Sequence, residues 1–269
     1  MASAAQDIQA KARFDRIALL IELTKREFSG RYQGSFGGVF WSFVQPLFLL
    51  GVYTLAFGVV FKVRWGFAGS TLEYALMLFA GLIVFDAFAE SLSKAPSLIL
   101  ANPNYVKKIV FPLDLLVWAM SIVALFHAAI GIGVWLLGYA LIFGWPQPTA
   151  CLFPLLLLCC LPMLLGIGWL LSALGVMIRD IGQITAMVSH ALLFLTPIFY
   201  SVEAVPEGYR RLMLLNPLTF LVAQLRGILF DGKLPDWAGL LEYFVIAVVF
   251  AMLCRLAFRR LRPSFADVI

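Results

Sequence analysis

Six stretches of nearly unbroken apolar sequence, roughly 36–61, 74–93, 113–143, 150–177, 182–200 and 237–258, leave this chain one solvent in which to fold. A helix needs about 20 mostly apolar residues to cross a bilayer, because every backbone amide must find its partner inside the segment. The runs reach that length, and the third is long enough to tilt or protrude. A soluble core would not hold them, since 62% of the 269 residues are hydrophobic and 13% are charged. Membrane β-barrels alternate apolar and polar residues in short strands, whereas these runs are continuous and rich in Leu, Phe and Ala. The expected fold is an all-α membrane protein with six transmembrane helices.

Orientation follows from the short loops. With the N-terminus inside, fourteen of the 20 Lys and Arg residues fall on the cytoplasmic side. They are Lys11, Arg13, Arg16, Lys25, Arg26 and Arg31 before the first span, Lys94, Lys107 and Lys108 between spans two and three, Arg179, and Arg255, Arg259, Arg260 and Arg262 at the end. Lys62, Arg64, Arg210, Arg211, Arg226 and Lys233 are left outside. Basic residues collect in cytoplasmic loops, so both termini are expected there. The chain then divides into a cytoplasmic N-terminus over 1–35, a transmembrane domain over 36–258 and a cytoplasmic tail over 259–269. The net charge of +5 is an anchoring asymmetry and gives no support to a nucleic-acid partner. No cleavable signal peptide is expected, because the first apolar run is full length and follows an amphipathic segment.

That segment, 12–30, sets Phe14, Ile17, Leu20, Ile21, Thr24 and Phe28 on one side of a helical wheel and Arg16, Glu22, Arg26 and Glu27 on the other. Leu19 and Leu23 interrupt the polar face. Such a helix lies along the cytoplasmic interface, and its mixed charges favour a role in touching a cytosolic partner over pure lipid binding. Gly30, Gly34 and Gly38 follow at four-residue spacing and are expected to mark the bend into the first span. The first span is dense in aromatics, among them Trp41, Phe48 and Tyr53. Most should be apolar bulk; some could line a sugar path by stacking on pyranose rings.

Between spans five and six, 201–236 is too polar and proline-broken to cross, yet too apolar for a loop. Two short helical pieces separated at Asn216 and Pro217 fit a re-entrant hairpin in the outer leaflet, since proline disfavours helical geometry in the residue before it.

Chemistry is sparse. Gly227 to Lys233 matches the spacing of a phosphate-binding loop, but lacks the following Ser or Thr and a preceding strand. The chain is therefore expected to hold no nucleotide site, and any ATP-driven step needs a separate subunit. His127 and His190 have no carboxylate or cysteine at ligand spacing, and each is expected to bond a helix carbonyl. Asp86 and Glu90 share one helix face; Lys94, four residues beyond Glu90, places them near the cytoplasmic boundary. Cys151, Cys159, Cys160 and Cys254 have no metal or redox spacing and read as apolar filler within spans. No metal site and no catalytic constellation is expected.

Three stretches resemble the permease subunits of ABC-2 type transporters that export O-antigen, capsule and teichoic acid. They are Lys25 to Ser35 with Trp41-Ser42, Gln45-Pro46-Leu47 and Val52-Tyr53-Thr54; Asn102 to Leu113; and Arg179-Asp180-Ile181 through Thr196 to Tyr200, Asn216-Pro217-Leu218 and Arg226. The O-antigen and teichoic-acid branch fits better than the capsule branch. The resemblance implies a homodimer forming a continuous channel in the bacterial inner membrane, with two copies of a cytosolic ATPase below that carry the ATP and magnesium. It implies a coupling helix at about Lys94 to Asn102, including Pro96, Ser97 and Leu98, with Lys107 and Lys108 beyond it. It also implies an outer gate from Pro206 to Phe230 containing Asn216, Pro217 and Arg226. The implied substrate is a long glycan on a polyprenyl pyrophosphate lipid, and the aromatics expected along its path are Trp41, Phe48, Tyr53, Phe194, Phe199 and Tyr200. The same scaffold would also suit a drug or small-lipid exporter, and other classes left open are a membrane enzyme on lipid-linked sugars and a non-transporting scaffold.

Overall fold

The computed structural model describes residues 2–31, 38–60, 70–107 and 111–268. Expectations for Gly34, Lys62, Arg64 and Lys108 lie outside them, as does that for the Tyr53 side chain. The described residues form helices and irregular links, with no strand among them. In chain order the helices are α1 (Ala2–Gly30), α2 (Trp41–Tyr53, continued by a π-helical stretch Thr54–Val60), α3 (Thr71–Leu98), α4 (Pro103–Val106), α5 (Asp114–Phe143) and α6 (Phe153–Met177). Then come α7 (Ile181–Leu195), α8 (Glu207–Leu214), α9 (Pro217–Leu229), α10 (Trp237–Leu261) and α11 (Phe265–Val268).

Among the described residues, four helical segments are long and apolar enough to cross a membrane: Thr71–Leu98, Asp114–Phe143, Pro148–Met177 and Trp237–Ser264. The other two expected spans correspond to shorter apolar helices, Trp41–Ala56 and Ile181–Leu195. The second of these is cut at Thr196-Pro197, where the backbone turns extended. Proline there excludes helical geometry from its predecessor.

The bundle is built around α3, which packs against α2, α5, α6, α7 and α9. Small residues permit this crowding. A Cβ on Gly175 of α6 would lie 2.0 Å from the Pro96 carbonyl oxygen of α3, and one on Gly166 would meet the Phe250 ring of α10 at 2.5 Å. Close backbone approach is how membrane helices associate where no hydrophobic effect drives them together. One buried cluster gathers around Leu78, Phe79, Trp135, Leu164 and Leu221, and a second around Ala95, Ile99, Met120, Trp169 and Phe258. On α10, Leu241, Val245, Val249, Met252 and Leu256 remain exposed, the side of a helix that a bilayer or another chain would cover.

The N-terminal helix turns inward only part of the face its wheel suggests, Leu20 and Phe28 among it, together with residues from the polar side. Leu23, expected on the polar side, is buried against the cluster containing Leu98 and Leu116, with Leu19 packed beside it, while Ile17 and Ile21 stay exposed. The wheel assumed two environments, water and lipid; protein is a third, and it takes the stripe between them. Gly38 has a φ of 50°, the left-handed conformation that a bend at the start of the first span needs. Cys159, Cys160 and Cys254 are buried as expected, but Cys151 is exposed in the 3-10 turn Pro148–Leu152 ahead of α6.

Candidate functional site

A cavity of about 540 Å³ opens between α2, α3 and α5, and an ionic cluster forms one side of it. Asp86, Glu90 and Lys94 occupy successive turns of α3 and so project along one stripe. Glu90 is the hub. Its Oε1 accepts from Arg31 at 2.8 Å and lies 3.1 Å from Lys94 Nζ, while its Oε2 lies 2.8 Å from His127 Nδ1. Lys94 reaches further, to Glu27 of α1 at 2.9 Å. A carboxylate alone at the centre of a membrane helix costs roughly 2.5–3.5 kcal/mol, and here three cationic or proton-donating groups surround it. Arg31 Nη1 also stands 3.2 Å from His127 Nδ1. Because a carboxylate oxygen sits closer, that nitrogen carries the proton and donates to Glu90.

The cluster fastens α1 to the bundle. Phe28 meets Phe126 edge to face at 5.2 Å and lies 5.7 Å from the His127 ring, adding an aromatic contact beside the charges. Two residues earlier, Arg26 lies over the Tyr105 ring and donates to its hydroxyl, and Tyr105 stacks on Phe111 at 4.2 Å. Helix α1 is thus joined both to α3 and to the loop that follows it.

His127 was expected to bond a helix carbonyl; among the described residues it stands against the side chains of Glu90 and Arg31. Sequence spacing could not reveal them, because Glu90 comes from another helix 37 residues away. His190 does bond a carbonyl, with Nδ1 2.7 Å from Ala186 O.

A second polar group gathers around the break after α7. Arg226 of α9 donates from Nε and Nη2 to Met77 O of α3, from Nη1 to Pro197 O at 2.6 Å and from Nη2 to Ile198 O at 2.9 Å. Asn216 accepts from Leu218 N at 3.0 Å, capping α9, and donates to Thr196 Oγ1 at 2.9 Å. Irregular backbone is tolerated at membrane depth only where protein satisfies its polar groups, and here Arg226 and Asn216 do so.

The model of the ABC-2 type transporter family matches residues 18–230. The chain belongs to that family. Among curated relatives it is 30% identical over 255 residues to the O-antigen export system permease protein RfbA of Myxococcus xanthus, covering 93% of this chain and 95% of the relative. It is 23% identical over 253 residues to a protein of the same name from Klebsiella pneumoniae, with the same coverage of both chains. ABC-2 type membership makes the chain a multi-pass membrane permease that works with an ABC ATPase.

Within this ABC-2 type chain the residues singled out from sequence separate by environment. Lys94, Pro96, Ser97 and Leu98 are not a separate helix but the last turn of α3. Pro96 and Leu98 are buried there and Ser97 is exposed; Asn102 closes the turn by donating to Leu98 O at 2.9 Å, and Lys107 is exposed. Among the aromatics, Trp41, Phe48 and Phe194 are exposed, and Trp41 lines the cavity. Phe199 is buried 5.6 Å from the Phe194 ring, and the Tyr200 hydroxyl donates to Phe194 O. Pro206 sits exposed at the start of α8, and Pro217 is the first residue of α9, where its missing N–H costs nothing.

Proposed function

We propose that this permease is the membrane subunit of an ATP-driven exporter that moves a lipid-linked polysaccharide of the O-antigen kind from the cytoplasm across the inner membrane. The observation that carries this reading is the 30% identity, sustained over 93% of the chain, to a protein named as an O-antigen export permease. Two copies of the chain would enclose the path, with two ATPase copies below holding the ATP and magnesium. The permease itself would bind neither.

In this reading six helices cross, α2 and α7 being the short ones, and both termini are cytoplasmic. Helices α8 and α9 re-enter the outer leaflet. At 8 and 13 residues they fall short of the roughly 20 that a crossing takes, which supports a hairpin. The exposed turn at Ser97, joined through Lys94 and Glu27 to the interface helix, would meet the ATPase.

Deleting the gene from its host tests the reading. Surface polysaccharide should disappear while lipid-linked polysaccharide accumulates inside, and restoration should need this chain together with a functional ATPase. Normal surface polysaccharide in the deletion strain would overturn it.

A further inference from the structure

Asp86 stands apart from the ionic cluster it borders. Glu90, one turn away, is shared among Arg31, Lys94 and His127, and Glu27 is held by Lys94. Asp86 makes no ion pair or hydrogen bond among the described residues, and its side chain is exposed on the cavity wall. The Trp41 ring, about half exposed at 51%, lines the same cavity, as do Ser42, Ser93 and Ser189. A carboxyl group in this position holds its proton, stays hydrated or meets a hydrogen-bonding partner that comes and goes. Twelve residues separate Asp86 from the end of α3, which at about 1.5 Å per residue sets it about 18 Å along the helix from that end.

We propose that Asp86 and Trp41 form a sugar-binding subsite in this cavity, Asp86 accepting hydrogen bonds from hydroxyls of the passing glycan while the indole packs against a ring face. The proposal rests on the polysaccharide-exporter reading and names the residues through which the permease grips the sugar part of its substrate. The charge balance selects for sugar over the lipid's diphosphate. Three carboxyl groups, Glu27, Asp86 and Glu90, face two permanent cations, Arg31 and Lys94, both already paired with Glu90 or Glu27, so an entering anion finds no vacant positive group. A polyhydroxyl ligand brings the donors that Asp86 lacks. The volume suits it too, since pockets for small-molecule ligands run about 300–1,000 Å³.

The test uses the permease–ATPase complex in lipid nanodiscs, with ATP hydrolysis measured against two probes. One is the host's polyprenyl-diphosphate-linked polysaccharide, the other the same polyprenyl diphosphate without sugar. In Asp86→Ala the concentration of the glycan probe giving half-maximal stimulation should rise about tenfold, the equivalent of about 1.4 kcal/mol. Asp86→Asn, which keeps one acceptor oxygen, and Trp41→Ala should shift it in the same direction, and the response to the sugar-free probe should stay as it is. An unchanged glycan response in Asp86→Ala, or an equal shift for both probes, overturns the proposal. Failure of both Asp86 variants to assemble assigns the residue to folding and overturns it as well. If the wild-type complex ignores the glycan probe, the exporter reading falls first.

Discussion

The Arg226 guanidinium of α9 donates twice to the Met77 carbonyl of α3, at 3.1 Å from Nε and 3.0 Å from Nη2, across 149 residues of sequence. The planar fork has donors left for Pro197 and Ile198, so one side chain joins α9, α3 and the break after α7. Lysine offers a point charge without the fork. Arg226→Lys should therefore lower the thermal stability of the purified permease, and Arg226→Ala should lower it further. Each buried carbonyl left without its donor costs about 1–3 kcal/mol. Equal melting temperatures for wild type and Arg226→Lys would show that charge alone suffices.

Gly175 lies where α6 crosses the proline turn of α3. Its substitution by alanine puts a methyl group 2.0 Å from Pro96 O, where backbone rather than a flexible side chain stands in the way. Gly175→Ala should sharply reduce the amount of folded permease recovered from membranes. Gly133, on α5 with nothing within 4 Å of a Cβ, is the control. Gly133→Ala should be neutral or stabilising by up to about 1 kcal/mol. Similar recovery of the two variants would mean that the α3–α6 crossing is less close than it stands here.

Much of the fold is legible in the sequence because the bilayer enforces a simple rule of length and polarity. The rule weakens for α2 and α7, which are helical and apolar but short, and it is silent about which helices touch. For the same reason the α1 wheel misplaces Leu23: amphipathicity records polarity, not which neighbour covers it. Asp86 and Glu90 share a face by spacing alone, and Lys94 bonds Glu90 from four residues away as the spacing suggests. Arg31, His127 and Glu27 join them only through tertiary packing. Lys94 to Asn102 was expected to be a helix of its own, yet α3 runs unbroken through Leu98 with Pro96 inside its last turn.

That continuity alters what a coupling test should change. Leu98 is buried at 7% exposure, so charging it would damage the permease itself. Ser97 is exposed, and among the described residues its hydroxyl donates only to Lys94 O within the same turn. Ser97→Arg should leave permease abundance near wild type while reducing export, or ATPase recovery with the permease, several-fold. Export and ATPase recovery both at wild-type level would remove this turn from the coupling surface.

Topology can be read with single cysteines. In a background with Cys151, Cys159, Cys160 and Cys254 replaced by alanine, Glu207→Cys and Lys233→Cys bracket α8 and α9, and both positions are exposed. A re-entrant hairpin predicts that an impermeant thiol reagent labels both from outside, while Lys107→Cys labels only after the membrane is opened. Opposite accessibility of positions 207 and 233 would mean that the segment crosses.

The aromatics expected along the glycan path differ in what their removal should do, because the fold gives them different surroundings. Phe199 is 4% exposed and belongs to a buried cluster, whereas Phe48 is 68% exposed, Phe194 58% and Trp41 51%. Truncating a packed core aromatic costs about 3–5 kcal/mol in soluble proteins, so Phe199→Ala should lower membrane abundance and lower surface glycan in parallel with it. The exposed rings have few protein contacts to lose. If they touch the glycan, Trp41→Ala, Phe48→Ala and Phe194→Ala should each leave abundance near wild type. Flux should fall only partly, because each ring contributes one weak contact among many along a long chain. A strong contact would trap the glycan and slow its release, so combining two such substitutions should reduce flux further without abolishing it. Membrane abundance, recovery with the ATPase and surface glycan need separate measurement. Wild-type surface glycan in all three single variants and in their combination would leave these rings facing lipid or a second copy of the chain, and the path would then run along other helices.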